Sequence, residues 1–583
     1  MYKSKLSKFS FPRSEMQPPA LENAVFSARI AGNALSAREI GIFFSSGRKI
    51  PAACAGKCRF FRADCRECPF CAGNGYLFLL GKDKCSRLRG KMLPFSARIA
   101  WIDLSAREMG IFFSSGRKIP AACAGKDTFL LYLYPLRFLN AMGKILLKGI
   151  TLNGEVTDIL VLGNRIAKIG KDILPDDRLS GDAEGSQQEL SGRETVNLDP
   201  DVKVLDCTGK AAVPGFVNMH THSAMTLTRG YREDAKLMDW LQDIWAVEAK
   251  MGEEAIYWGT KLACLEMLKT GTTTFYDQYW MPDVAVKAVE EMGLRGYHAC
   301  VALDLKDESR AEGIKKGMEE MYQKSLTWGE RTRMTVGVHA PYTVSDPMIK
   351  WCSDFARERG LTVHIHMSET EQENRDSVAL NGCSPFAHLE KLGVLGPEVI
   401  AAHCVWLSEA DMDIMAARGV TAVHNVNSNL KLASGHSFLY EELRDRGVNV
   451  CLGTDGCGSS NNLDMREAMK TAALLQKGWR RNPVSMPLNE LMDVATVNGA
   501  RALGLEAGVI AEGMLADIII VDTENYAFVP GLDFLSDFVY SANSSCIESV
   551  ICNGELVMHG RQVAGEREII ENVRRVCKTL YNL

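Results

Sequence analysis

The chain has no surplus of positive charge. Its 67 Lys and Arg stand against 72 Asp and Glu, for a formal net charge of −5. A nucleic-acid partner requires cations to neutralise phosphates, so electrostatics give no case for one. Long apolar runs are also missing. The longest, Thr128-Phe-Leu-Leu-Tyr-Leu-Tyr-Pro-Leu136, is too short for a bilayer, is interrupted by Pro135 and is followed by Arg137, so no membrane partner is expected. No basic stretch leads into an apolar one near Met1, which speaks against a secretory signal. Nor do the 18 cysteines suggest a secreted disulfide scaffold. Seven precede residue 127, and the other 11 are scattered, often inside apolar strands such as Ala401-Ala-His-Cys404, where a free thiol packs as a small hydrophobe. That usage suits a reducing cytoplasm. With 46% hydrophobic and 24% charged residues, the composition is that of a soluble globular protein.

The first 141 residues stand apart. Phe26–Lys57 and Phe95–Lys126 are near-identical 32-residue copies that differ at four positions. Solenoid repeats share a sparse packing pattern and need about three or more units, so this pair reads as a recent duplication of genetic material. Neither copy carries a sustained helical or strand period. From the end of the first copy into the segment between them run Cys54, Cys58, Cys65, Cys68 and Cys71, with Cys85 beyond. A zinc or iron–sulfur module is one reading of these cysteines. Their spacing fits neither a paired Cys-x2-Cys zinc ribbon nor a ferredoxin run. The other reading, which we favour, makes 1–141 an irregular, non-native extension upstream of a start at Met142.

From Met142 onward the patterning becomes regular. Strands are expected at Lys144–Ile150 and Thr157–Leu162, joined by an Asn153-Gly154 turn, and at Arg165–Ile169. The polar, acidic segment Pro175–Glu194 reads as a loop. Ala516–Asp522 and Ile547–Gly554 echo the same pattern near the other end. Residues 142–210 and 506–565 are therefore expected to pair into one small discontinuous β-sandwich domain, followed by a helix over 566–583. The centre, 211–505, alternates eight strand candidates with amphipathic stretches: Val213–His222, Thr272–Asp277, Arg295–Leu303, Thr335–Tyr342, Thr362–Ser368, Val399–Leu407, Val420–Val426 and Asn449–Asp455. Eight βα units predict an α/β fold, a (β/α)8 TIM barrel, with its chemistry at the C-terminal ends of the strands.

Those ends carry an unusual set. The first strand finishes in His220 and His222, which share a face because side chains alternate along a strand, so both imidazoles can grip one metal ion. The fourth finishes in His339-Ala-Pro-Tyr342. The fifth finishes in His364-Ile-His366-Met-Ser-Glu369. The sixth holds His403, and the eighth finishes in Thr454-Asp455-Gly456. Each has a plain structural explanation taken singly. Five together at one end of a barrel do not.

Pro214-Gly-Phe-Val-Asn-Met-His-Thr-His222, His364-Ile-His-Met-Ser-Glu-Thr370, Ile400-Ala-Ala-His-Cys-Val-Trp406 and Leu452-Gly-Thr-Asp-Gly-Cys457 resemble the amidohydrolase superfamily. Within it they resemble most the branch of S-adenosylhomocysteine, 5′-methylthioadenosine and 5′-deoxyadenosine deaminases. The resemblance spans about residues 142–583. It implies one divalent metal, zinc or in some members iron, held by His220, His222, His366 and Asp455. Such a set leaves room for a water. Binuclear members have a bridging lysine after the fourth strand, where this chain has Val338-His-Ala-Pro-Tyr342, so a single ion is expected. The resemblance further implies that Asp455 takes the attacking water's proton, that His403 orients that water and that Glu369 protonates the purine ring. A carboxyl acting as an acid near neutrality needs surroundings that favour its protonated form. Glu248, in Trp240-Leu-Gln-Asp-Ile-Trp-Ala-Val-Glu248, corresponds to a ribose-binding carboxylate, although Ala246 stands where proline is common. His339 corresponds to a substrate-contacting histidine. Arg310 could hold an amino-acid carboxylate, but a second arginine for that fork is missing. Val426 replaces a family proline. Members also assemble as dimers or tetramers.

The expected activity is hydrolytic deamination of an adenine nucleoside modified at its 5′ position, adenosine itself included. Two alternatives stay open. One is a deaminase or chlorohydrolase of another aminated heterocycle such as guanine, cytosine or an s-triazine. The other is a catalytically silent metal-binding scaffold.

Overall fold

The computed structural model describes residues 143–174 and 202–583, and before them the backbone of five short strands. It divides into Met1–Met142 and Gly143–Leu583. In the first unit Ala28–Ile30 pairs antiparallel with Asn33–Leu35, and Thr128–Pro135 pairs with both Tyr76–Gly81 and Met109–Phe112. The cysteine cluster from Cys54 to Cys85 and the loop expected over Pro175–Glu194 lie outside the described residues. The extension reading of 1–141 falls mostly outside them too.

In the second unit Lys144–Leu152 and Glu155–Leu162 form a hairpin whose two loop residues, Asn153 (φ 52°) and Gly154 (φ 83°), are both left-handed. That backbone matches the twist of paired strands, and an Asn-Gly pair adopts it at low cost. Arg165–Gly170 and Val202–Asp206 extend the sheet, and so do Ile518–Asp522, Ile547–Cys552 and Glu555–Met558 from the far end of the chain. The joint is Lys210–Pro214, antiparallel to Ile518–Asp522 over five residue pairs and parallel to Lys144–Leu152. Ile145, Leu147, Ile159, Ile518, Ile520 and Ile551 bury into one core, which removes apolar surface of both flanks from water.

Val213–His222 is not one strand, which corrects the sequence reading. Pro214 ends the strand in this sheet, and Phe216 opens the first strand of the barrel. Gly215 between them passes so close to a neighbour that a Cβ there would sit 2.3 Å from Thr273 Oγ1 and 2.4 Å from Thr273 Cγ2. Gly215→Ala is expected to destabilise the fold by about 1–3 kcal/mol through overpacking. Chemical denaturation of the full chain reads this as a lowered midpoint.

The barrel strands are β1 (Phe216–Thr221), β2 (Thr272–Gln278), β3 (Arg295–Ala302), β4 (Thr332–Val338), β5 (Val363–Met367), β6 (Val399–His403), β7 (Thr421–His424) and β8 (Val450–Leu452). Each pairs in parallel with the next. The seam from β8 to β1 is stitched by side chain and backbone. Asn218 Nδ2 donates to Thr454 Oγ1 at 2.7 Å, its Oδ1 accepts the Thr454 N–H at 3.0 Å, and the Asp455 N–H donates to the His220 carbonyl at 3.0 Å. This is the expected (β/α)8 barrel. Its strands are buried on both faces, as parallel strands covered by helices must be. Helices such as Glu253–Thr270, Pro282–Met292, Asp346–Arg359 and Glu409–Arg418 supply that cover. Another, Ala311–Ser325, follows a 3-10 turn over Glu308–Arg310. Glu566–Tyr581 closes the chain. All 11 described cysteines are free, most of them buried. Among the described residues no helix is long and apolar enough to cross a membrane.

Candidate metal centre and active site

The C-terminal ends of the barrel strands and the segments after them bring His222, Glu248, His339, His366, Glu369, His403 and Asp455 to the wall of one chamber of about 690 Å³, open to solvent. His220, fully buried, adjoins them. Its ring centre lies 4.9 Å from that of His222, 5.0 Å from His366 and 5.4 Å from His403. Arg310 is not brought there. It ends the 3-10 turn, is about half exposed and reaches only Asp307, at 3.5 Å. It is not among the residues that line the chamber. It lies beyond the strand end, on a turn that faces solvent.

One potential ligand atom each from His220, His222 and His366 lies within 4.8 Å of the others, and the same holds for His220, His403 and Asp455. Hydrogen bonds behind the rings decide which nitrogens face inward. His222 Nδ1 meets the Gln278 carbonyl at 2.6 Å, and His366 Nδ1 meets the His339 carbonyl at 2.6 Å. A carbonyl only accepts, so each Nδ1 carries the proton and each Nε2 keeps a lone pair. His220 Nε2 is buried without a hydrogen-bond partner and faces Asp455 Oδ1 at 3.4 Å. His222 Nε2 faces the same oxygen at 3.3 Å. A buried, unpartnered imidazole nitrogen is costly unless something takes its lone pair. Imidazole lone pairs beside a carboxylate suit a divalent cation of the first transition row, and orienting carbonyls behind the rings are usual at such centres.

The carboxylates are held individually. Asp455 Oδ2 accepts from Ser428 Oγ at 2.6 Å and Oδ1 from the Gly456 N–H at 2.7 Å. Glu369 Oε1 accepts from Ser434 Oγ at 2.9 Å, while Oε2 lies 3.7 Å from His403 Nε2. Glu248, the last residue of helix Leu237–Glu248, accepts from Tyr279 Oη at 2.7 Å. His403 Nδ1 meets Asn429 Nδ2 at 3.0 Å. The backbone is bent to serve this arrangement. Ser368 (φ 49°), His403 (φ 75°) and Asp455 (φ 61°) all take left-handed conformations at the ends of β5, β6 and β8. Such strain persists where surrounding structure over-determines it, and it clusters at functional sites.

Against its burial, Asp455 pushes His222 up to about 9, whereas for His220, His366 and His339 burial decides. Burial pulls the His220 imidazole down to about 4 and His366 well below its ordinary value, with neighbouring imidazoles adding repulsion. His339 falls to about 4, first through burial and then through His222. Both effects favour neutral rings, the form that offers lone pairs. Burial raises the Glu248 carboxyl against the opposing Tyr279 hydrogen bond.

Several contributors were not singled out from sequence. Gln278 ends β2, where the rule that picked out the histidines applies equally to any polar residue. Glu373 was also visible, as the fourth member of Thr370-Glu-Gln-Glu373, a helix-start signature. Thr370 Oγ1 caps the Glu373 N–H, but the Glu373 carboxylate reaches further back and accepts the N–H groups of Ser368 at 2.8 Å and Glu369 at 2.7 Å. Burial pushes it up to about 7 despite those two donors. Ser428, Ser434 and Asn429 carried no local signal.

Comparison with known proteins gives four findings of one kind. The model of the amidohydrolase family matches residues 211–557. A protein of Methanoregula boonei named 5′-deoxyadenosine deaminase is 44% identical over 370 residues, 63% of this chain and 84% of that one. One of Archaeoglobus fulgidus named 5-methylthioadenosine/S-adenosylhomocysteine deaminase 1 is 41% identical over 403 residues, 68% of this chain and 94% of that one. Among solved structures, the zinc-bound adenosine deaminase of Xanthomonas campestris superposes with a TM-score of 0.66 at 30% identity, covering 76% of this chain and 99% of that one.

Proposed function

The chain belongs to the amidohydrolase family, and from that we infer that it hydrolytically deaminates an adenine nucleoside whose 5′ position is modified. The observation that carries this reading is the meeting of three elements in one chamber: the histidine–aspartate cluster, the carboxylate Glu369 beside it and the carboxylate Glu248 across from it. A bare base or a triazine has no ribose for Glu248 to bind.

His220, His222, His366 and Asp455 would hold one divalent cation, zinc in our reading. When bound, such an ion lowers the pKa of a coordinated water toward neutrality. The chain's own groups do the rest. Glu369 delivers a proton to the purine ring nitrogen next to the amino-bearing carbon, which makes that carbon a better electrophile. His403, 3.7 Å from Glu369, orients the attacking water. Asp455 accepts one of the water's protons and passes it to the amino group, which leaves as ammonia, while the proton left on the new hydroxyl returns to Glu369 as the carbonyl forms. Glu248 binds the ribose hydroxyls, and His339 contacts the substrate beside it.

The wall also limits the 5′ substituent. Leu237, Leu241, Trp245, Trp280 and Val301 line the chamber, and no lysine or arginine does among the described residues. A methylthio or methyl group fits such a lining. The charged amino-acid tail of S-adenosylhomocysteine would lose hydration with no counter-ion, and a missing charged hydrogen bond is worth about 1.5–3 kcal/mol. The expected result is a kcat/KM for 5′-methylthioadenosine and 5′-deoxyadenosine about 10–100-fold above that for S-adenosylhomocysteine.

The test is ammonia release by the zinc-loaded full chain against adenosine, 5′-deoxyadenosine, 5′-methylthioadenosine, S-adenosylhomocysteine, guanine and cytosine. Turnover confined to the adenosine set supports the reading. Turnover of guanine or cytosine alone, or of nothing by a folded, loaded protein, overturns it.

A further inference from the structure

We propose that Gln278 and His364 are positioning residues that dictate which nitrogen of His220 carries its proton, and thereby aim the His220 Nε2 lone pair at the cation. This rests on the reading of His220 as a ligand.

His220 differs from the other two ring ligands. His222 and His366 each back onto a backbone carbonyl, which fixes their tautomer outright. His220 Nδ1 instead faces a second imidazole, His364 Nε2, at 3.2 Å. The two rings stack with centres 4.8 Å apart and 13° between planes. Either ring could donate, and only one choice frees His220 Nε2. If His364 donated from Nε2, the His220 proton would move to Nε2 and block the ligand position.

The decision is made one step further back. Gln278 Nε2 donates to the Val338 carbonyl at 3.2 Å, so its amide cannot be turned over without opposing two oxygens. Gln278 Oε1 then points at His364 Nδ1, 2.9 Å away. An amide oxygen only accepts, so His364 carries its proton on Nδ1. Its Nε2 becomes an acceptor and takes the Nδ1–H of His220. The Met219 carbonyl, 3.3 Å from His364 Nε2, would favour the other tautomer. That contact is longer, and satisfying it would set His364 Nδ1 lone pair to lone pair against Gln278 Oε1. The order is therefore Val338 carbonyl, Gln278 amide, His364, His220, with every proton pointing away from the metal centre. His364 and Gln278 are both buried, so water cannot substitute for either. Gln278 controls His222 as well, through its own carbonyl, so one residue at the end of β2 orients both His220 and His222.

The test measures zinc retention by the full-length holoenzyme in competition with a chromophoric chelator, beside deamination assays at saturating zinc. His364→Leu removes the acceptor for His220 Nδ1–H. Zinc affinity should fall by about 10–100-fold, the usual effect of losing a ligand's supporting hydrogen bond, while KM for the nucleoside at saturating zinc stays within about twofold. His364→Gln puts an amide oxygen near the vacated Nε2 position and should restore affinity to within a few-fold of wild type. Gln278→Leu should weaken zinc binding, and combining it with His364→Leu should add little further loss, because both break the same relay. Equal affinity in wild type and His364→Leu overturns the proposal. So does equal loss in the Leu and Gln variants, which would mark His364 as packing alone. A wild-type protein that holds no zinc overturns the ligand reading of His220 and this proposal with it.

Discussion

Glu369→Gln is expected to lower kcat by about 10²–10⁴-fold, the range that a positioned proton donor supplies, while zinc content stays at the wild-type level. The substitution preserves size and keeps an oxygen for the Ser434 hydroxyl, which donates to Glu369 Oε1 at 2.9 Å. The backbone of the residue does not depend on its side chain, because Glu373 holds the N–H groups of Ser368 and Glu369. What the amide cannot do is hand a proton to a ring nitrogen. The loss should therefore fall on kcat more than on KM, and metal analysis of the purified variant should match wild type. A variant that turns over within about tenfold of wild type removes Glu369 from the proton-transfer role. A variant that loses its metal assigns it a structural one.

Asp455→Asn should be more damaging, lowering kcat/KM by more than about 10³-fold, because one side chain would lose two functions. The fold should accept it. The amide oxygen can keep the Gly456 N–H, which reaches Asp455 Oδ1 at 2.7 Å, and the Ser428 hydroxyl can turn to accept from the new NH₂. The seam is safe too, since the Asp455 backbone N–H makes the bond to His220. The negative charge is gone, however. A neutral amide neither takes the proton of an attacking water nor balances a dication held by neutral imidazoles. Steady-state ammonia release together with zinc content separates the two losses. Activity within tenfold of wild type would exclude Asp455 as the base.

Much of this site was readable because a barrel converts sequence position into spatial position. The motif histidines and Asp455 follow apolar strand runs, and strand ends in a parallel barrel converge whatever lies between them. Thus His220, His222, His339, His366, Glu369, His403 and Asp455 were identifiable as neighbours although more than 230 residues separate the first from the last. Where the reading failed, local pattern and three-dimensional path diverged. Val213–His222 reads as one apolar strand, yet its two halves belong to different sheets, because the close contact of Gly215 with Thr273 exists only after folding.

By itself the sequence determined the fold class, the end of the barrel where the polar groups converge and the identity of the groups gathered there, since these follow from periodicity and from side-chain chemistry that no packing alters. Only the tertiary structure decided how those groups are protonated and aimed. The tautomers of His220, His222 and His366 depend on carbonyl and amide oxygens of Gln278, His339 and the His364 relay. The orientations of Asp455 and Glu369 depend on Ser428 and Ser434, and the left-handed backbone at Ser368, His403 and Asp455 is imposed by the walls around it. A hydrogen bond acts over about 3 Å, and its partners here come from different strands and loops, so no local pattern in the chain encodes it.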